Sequence, residues 1–69
     1  MCQGMPCVGT TVRLRVDVRN GDIDILAGTL CVVKAEELST RELVVEISSG
    51  NIALLARVRE GDVDVVERP

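Results

Sequence analysis

A stretch of alternating apolar and charged residues near the amino terminus limits the fold of this chain more than any other feature. It reads TVRLRVDV over residues 11–18. A period of two places successive side chains on opposite faces, which is typical of a half-buried β-strand. The apolar face would consist of Val12, Leu14, Val16 and Val18, and the polar face of Arg13, Arg15 and Asp17.

Asn20-Gly21 ends this alternation and predicts a β-hairpin. Asn-Gly is typical of a type I′ turn because both central residues of that turn need positive φ. The alternation then resumes in DIDIL, where we expect Ile23 and Ile25 to face inward and the aspartates beside them to face outward. A turn or bulge around Gly28 follows.

Short apolar segments separated by turn signals make up the rest of the chain. LCVVK has the continuous apolar run of a strand buried on both faces, and LVVEIS and VDVVE predict two more strands. AEELSTRE, residues 35–42, suggests one helical turn or else a loop. Strands at intervals of about ten residues are typical of small barrels. The predicted fold class is therefore all-β, a small barrel of roughly five or six strands with OB-like or SH3-like topology.

The composition makes a marginal core that is built only from aliphatic side chains. The chain has 69 residues and contains no Phe, Tyr or Trp. A domain of this size buries only about 60% of the surface that its unfolded chain exposes. Additional stabilisation in such domains commonly comes from disulfides, metals or association. We therefore expect a permanent partner or self-association as a homo-oligomer.

Charge and residue usage exclude several classes of function. The net charge is −3, the basic residues alternate with acids, and no aromatic residue is present on which a base could stack. We therefore expect no nucleic-acid partner. The chain also has no histidine, the common general base, so we predict that it is not an enzyme. Without a signal peptide or a membrane-spanning run, we expect a cytoplasmic protein with no membrane partner.

The pattern V-R-x-G-D-φ-D-φ, in which φ is Val or Ile, occurs twice, at residues 18–25 and 58–65. It contains two acidic pairs, Asp22/Asp24 and Asp62/Asp64, and each pair could bind a hard cation from one face of a strand. Calcium takes six to eight oxygen ligands from a shaped loop, more than two strand carboxylates supply. We favour the interpretation that one hairpin is used twice, with charged outer faces.

The three cysteines differ in their surroundings. Cys31 lies within an apolar strand and is predicted to be a small core residue. Cys2 and Cys7 precede the alternating segments, and their Cys-x4-Cys spacing is not that of a zinc site. An odd number of cysteines in a cytoplasmic protein predicts reduced thiols. Removal of Met1 would leave Cys2 with an α-amine beside its thiol, a pair suited to a soft metal.

The opening MCQGMP resembles the start of the HypC/HupF hydrogenase-maturation chaperones. That family begins with Met-Cys, then an apolar, a small and another apolar residue, and then Pro; the matching residues are Met1, Cys2, Gly4, Met5 and Pro6. IALLARVREGDVDVV is similar to a second stretch of the family. The residues that carry this match are Ala53, Leu54, Leu55, Val58, Gly61, Asp62, Val63 and Val65.

The resemblance implies a fold and a function. The fold would be an OB-like barrel over residues 10–69, preceded by a flexible cysteine-containing arm over residues 1–9. Cys2 would be the metal ligand for an iron centre with cyanide and carbonyl ligands. The residues that bind partners would be Cys2, Gly4, Met5 and Pro6. The protein would be a metallochaperone, with a HypD-like scaffold protein and the precursor of the nickel–iron hydrogenase large subunit as its partners.

A binding or structural module is the alternative function. Such a module would be a non-catalytic SH3-like or OB-like barrel that acts as an oligomer or as an accessory subunit. The lack of histidine and of recognisable pocket chemistry favours it. A groove for proline-rich ligands needs aromatic walls, so this module would instead use sheet edges and aliphatic patches.

Overall fold

A computed structural model describes residues 4–69, apart from the side chain of Ser49. Seven strands and one short 3-10 helix follow one another along this range. The strands are β1 Thr11–Leu14, β2 Val18–Asn20, β3 Ile23–Ile25, β4 Leu30–Glu37, β5 Glu42–Ser49, β6 Ile52–Arg59 and β7 Val63–Glu67, with the 3-10 helix Glu60–Asp62 before β7. The prediction of an all-β fold is confirmed. No helix in residues 4–69 is long and apolar enough to cross a membrane.

Five of the strands form one antiparallel sheet, in the order β6-β5-β4-β1-β7. Strands β4, β5 and β6 form a meander, whereas β7 returns to the far side of β1. The β1–β7 register pairs Thr11 with Glu67 and Leu14 with Val63. The remaining strands, β2 and β3, form a separate hairpin. No ladder joins β6 to β7 within residues 4–69, so closure of the sheet into a barrel stays a prediction.

The core is aliphatic, as the composition requires. It collects the inward side chains of the large sheet together with one residue from β3 and one from the segment before β1. Its members are Met5, Val12, Leu14, Ile25, Cys31, Val33, Leu43, Val45, Ile47, Ala56, Val58 and Val63. Such residues each contribute roughly 1.5–3 kcal/mol when fully removed from water.

The strand predicted over residues 11–18 is interrupted after Leu14. Val12 and Leu14 are buried as predicted, but the chain bends at Arg15 and Val16 is exposed. The bend is held by two hydrogen bonds. Arg15 N donates to the carbonyl of Asp62 at 2.8 Å, and Ala27 N donates to the carboxylate of Asp17 at 2.7 Å. These bonds direct the chain away from the sheet, so Val18 begins β2 instead of extending β1.

The predicted hairpin is confirmed, but its turn lies one residue later. Asn20 pairs with Ile23, which leaves Gly21 and Asp22 as the two loop residues. Of these two, only Gly21 has a positive φ, of 65°. Positive φ at the first central position alone is the type II′ pattern, so the type I′ prediction is wrong. Ile25 is buried as predicted, whereas Ile23 is 45% exposed.

Strand β4 corrects two predictions. Cys31 and Val33 are buried but Leu30 is exposed, so LCVVK is buried on one face and not on both. The strand also continues to Glu37, which pairs with Glu42, so of the two alternatives for residues 35–42 the helical turn is absent and a short turn over residues 38–41 joins the strands. A register shift between Val33 and Ala35 accommodates this extension.

The repeated pattern V-R-x-G-D-φ-D-φ adopts two different structures. At residues 18–25 it forms the β2–β3 hairpin, whereas at residues 58–65 it forms the end of β6, the 3-10 helix and the start of β7. Gly21 has positive φ and Gly61 does not. The interpretation that one hairpin is used twice is wrong, because β7 pairs with β1 and not with β6.

The segment that precedes β1 packs on the sheet. Met5 is 3% exposed and belongs to the core. Gly9 N donates to the carbonyl of Val33 at 2.8 Å, and Val33 N donates to the carbonyl of Thr10 at 2.9 Å. Gly9 also lies close to Pro69, since a β-carbon at position 9 would approach that ring within 3.3 Å. The division between residues 1–9 and 10–69 stays a prediction.

Met5→Ala should destabilise the protein although residue 5 lies outside every strand. Truncating a buried methionine removes apolar contacts and leaves a cavity, which costs about 2–3 kcal/mol. Urea unfolding followed by far-UV circular dichroism measures the change. Val8→Ala, at a residue that is 55% exposed, is the matched control. Equal and small losses in both variants would contradict the placement of Met5 in the core.

Candidate functional site

The residues predicted to bind partners lie in different environments. Cys2 is outside the described residues. Gly4 is exposed and has a φ of 82°, a conformation that favours glycine. Met5 is buried in the core, and Pro6 is partly buried. The surface formed by the described part of this segment therefore includes Gly4 but not the side chain of Met5.

The described cysteines are Cys7 and Cys31. Cys7 takes part in a disulfide bond, contrary to the expectation that the thiols are reduced. Cys31 carries a free thiol that is buried in the core, as predicted. Burial raises the pKa of the Cys31 thiol, which disfavours the reactive thiolate. Cys31 is therefore a packing residue. Within residues 4–69, no group of three or more His, Cys, Asp or Glu residues could hold a metal ion.

Two of the four carboxylates of the repeated pattern contact arginines. Arg15 contacts Asp64 Oδ1 through Nη2 at 2.6 Å and through Nε at 2.8 Å. This hydrogen bond lowers the pKa of the Asp64 carboxyl below its ordinary value. Arg19 approaches Asp24 less closely, at 3.6 Å. The arginine contacts at Asp64 and Asp24 fit charged outer faces better than they fit cation sites.

The surface has an apolar groove of about 360 Å³. One side is formed by β3 and the turn that follows it, and the other side by the paired ends of β5 and β6. We call it the hairpin groove. Ile47 of β5 and Leu54 of β6 are register partners and form one side. The full lining consists of Ile23, Asp24, Ile25, Leu26, Thr29, Ile47, Ser48 and Leu54. Its volume falls within the lower part of the range for ligand pockets.

Three hydrogen bonds hold the two sides of the hairpin groove in place. The Asn20 side-chain amide, Nδ2, donates to the carbonyl of Leu55 at 2.8 Å and ties the hairpin to β6. At the base of the hairpin, Leu14 N donates to the carbonyl of Thr29 at 3.0 Å, and Gly28 N donates to the carbonyl of Leu14 at 2.7 Å. The groove is therefore built from fixed elements and not from a loose loop.

The walls of the groove are exposed and its rim is acidic. Leu26 is 64% exposed, and Ile23 is exposed beside it. Asp24 lies among the lining residues, Asp22 is exposed in the adjoining turn, and none of the lining residues is basic. The Arg19–Asp24 contact is long and joins two side chains that are each about two-thirds exposed, so it neutralises this rim only weakly.

Sequence reasoning missed the hairpin groove because its residues come from separate elements. The one local signal is the position of Leu26 directly after the inward-facing Ile25. Successive side chains of a strand point to opposite faces, so Leu26 cannot point inward as well. The exposure of Ile23 could not be predicted from the sequence, because the alternation in DIDIL places both Ile23 and Ile25 inward. Only the placement of the hairpin on β6 brings these residues to Ile47 and Leu54.

Comparisons of the chain with protein-family models, with curated proteins and with solved structures find no match. Membership of the HypC/HupF family therefore stays a prediction from the two sequence motifs. Function has to be argued from the residues and from the geometry of the groove.

Asn20→Ala should loosen the hairpin. It removes the side-chain donor to Leu55, a loss of about 1 kcal/mol. We expect faster amide hydrogen exchange across residues 18–25 while exchange in β4 and β5 stays slow. Asn51→Ala, at an exposed position in the turn between β5 and β6, is the control. Unchanged exchange in the hairpin would contradict the tethering role of Asn20.

The Arg15–Asp64 pair should make stability depend on acid pH. The folded state lowers the pKa of Asp64, so the pair stabilises the fold above the unfolded pKa, and this contribution is lost as pH falls through the folded pKa. Asp64→Asn should lower the melting temperature at neutral pH, and the difference from wild type should vanish in acid. Asp22→Asn is the control, and a pH-dependent loss of the same size there would contradict this assignment.

Proposed function

We propose that this protein is a non-catalytic protein-binding module and that the hairpin groove is its binding surface. The observation that carries the proposal is the exposed aliphatic wall of Ile23 and Leu26 above a floor that is continuous with the core. Contiguous exposed apolar surface on a small protein commonly marks an interaction site.

The strand order supports an SH3-like arrangement in preference to an OB-like one. The chain passes from β1 through the β2–β3 hairpin into the β4–β5–β6 meander, and β7 then returns to β1 after a 3-10 turn. An OB fold has Greek-key connections instead. In this arrangement, the hairpin is a long excursion between the first two strands of the sheet, and it forms one wall of the groove.

The surface charges support binding in preference to catalysis. Five arginine or lysine side chains are engaged with carboxylates on the outside of the domain, among them Arg57 with Glu37 and Glu42, and Arg41 with Glu60. Exposed ion pairs of this kind each contribute at most about 1 kcal/mol to stability. The sequence has no histidine, the side chain that most often serves as general base. A cytoplasmic location and assembly as a homo-oligomer stay predictions.

A metallochaperone related to HypC/HupF is the second candidate. One observation favours it beyond the motif itself, because Gly4 turns the chain with a positive φ immediately before Met5 inserts into the core. The glycine and the methionine of the motif would then fix the start of the described segment on the sheet. On this proposal Cys2 carries the iron centre as a thiolate, so the reduced protein is the active form, and the partners are the HypD-like scaffold and the large-subunit precursor.

Affinity capture from cells of the source organism distinguishes the two functions. The tagged baits are wild type, Leu26→Ser in the groove, Cys2→Ala in the amino-terminal motif and Leu38→Ser, an exposed control in the turn between β4 and β5. We expect specific partners to be lost with Leu26→Ser and kept with Cys2→Ala and Leu38→Ser. Quantitative mass spectrometry of the captured proteins, with circular dichroism of each bait, gives the readout.

The opposite result would favour the metallochaperone. Loss of hydrogenase-assembly proteins and of bound iron with Cys2→Ala, together with full capture by Leu26→Ser, would reject the groove as the functional surface. Equal capture by all four baits would reject both proposals.

A further inference from the structure

We propose that the hairpin groove binds a peptide segment in which one apolar anchor side chain is flanked by Lys or Arg. This inference rests on the proposed binding function and specifies the partner's chemistry. It follows from the shape of the groove, from the charge on its rim and from the hydrogen bonds that position the rim.

The shape of the groove suits a single large apolar anchor. Buried Ile25 and Ile47 form the floor, and Ile23, Leu26 and Leu54 form the walls. All five side chains are aliphatic, so the floor and walls offer dispersion contacts but almost no hydrogen bonds. Anchors that fill such central pockets usually carry most of the binding energy of an interface. Ser48 can hydrogen-bond the backbone of the bound segment, and the Thr29 hydroxyl, which donates to the carbonyl of Leu26 at 2.6 Å, can accept a bond from it.

The rim of the groove favours a cation beside the anchor. Asp24 lines the groove, and the guanidinium of Arg19, its cross-strand neighbour, also donates through Nε to the carbonyl of Gly21 at 3.0 Å. The remaining Arg19–Asp24 contact, at 3.6 Å, is one that a better-placed cation can replace. Asp22 adds a second exposed carboxylate in the turn. An anchor with a flanking Lys or Arg would therefore pair with the rim while its apolar side chain fills the groove.

The same charges argue against the other occupants of this surface. A second copy of the chain would also carry a net charge of −3, so two copies would repel each other overall. The net charge of −3 likewise opposes an anionic membrane surface or a nucleic acid. A basic and apolar segment of a protein is the occupant that both the lining and the charge favour.

Selection from a displayed library of random linear peptides tests the inference directly. The baits are wild type, Leu26→Ser, Asp24→Lys and the Leu38→Ser control. We expect wild type and the control to enrich peptides with a large apolar residue next to Lys or Arg. Synthetic versions of the enriched peptides are then titrated against each bait by fluorescence anisotropy. Removing one apolar wall should weaken binding about tenfold or more.

Reversing the charge at residue 24 tests the role of the acidic rim separately from that of the apolar walls. Asp24→Lys should weaken the basic peptides at least severalfold and strengthen versions in which their Lys or Arg is replaced by Glu. Enrichment of acidic or uncharged peptides that still depend on Leu26 would overturn the charge rule and leave the binding module standing. Enriched peptides that bind Leu26→Ser as well as wild type, or no enrichment with any bait, would overturn the groove inference. Combined with partner capture that is unaffected by Leu26→Ser, the same results would overturn the proposed function.

Discussion

The hydrogen bonds around Leu14 hold together the three parts of this protein. Leu14 lies in β1, the short strand that pairs with β4 on one side and with β7 on the other. Its backbone N–H and carbonyl continue the contacts of β1 beyond the strand, to Thr29 and Gly28, and so fix the turn after the hairpin. The next residue, Arg15, bonds the 3-10 helix through Asp62. The sheet, the hairpin and the return of β7 therefore meet at one buried residue, on which the groove also depends.

Much of the fold could be predicted because its determinants are local. Alternation identified β1 and the hairpin near Asn20, and the short apolar segments LVVEIS and VDVVE identified β5 and β7. Three predictions failed where contacts between separate elements decided the structure. The bend after Leu14 comes from hydrogen bonds to Ala27 and Asp62. The extension of β4 comes from its pairing with β5. The strand in the second copy of the repeated pattern pairs with β1. A pattern that covers eight residues cannot report a partner that is forty residues away.

The candidate site was less predictable than the fold for the same reason. The chemically reactive residue types in the sequence are the cysteines. Of the described cysteines, Cys7 is disulfide-bonded and Cys31 is buried. The hairpin groove is made of ordinary isoleucines and leucines, which become distinctive only through their exposure. Leu26 and Ile23 look like core residues in the sequence. Only the docking of the hairpin on β6 through Asn20 makes them the walls of an open groove.

The register of β1 and β7 has a mechanical consequence. Thr11 lies opposite Glu67, so the chain enters β1 and leaves β7 at the same end of one antiparallel ladder, close to the contact between Gly9 and Pro69. Tension applied to the two flanking segments would load the ladder bonds one after another, starting beside Thr11, and not all of them together. The β1–β7 ladder would thus open one hydrogen bond at a time when the two flanking segments are pulled apart. The β5–β6 side of the groove, which lies at the opposite side of the sheet from β7, would be the last part to feel that force.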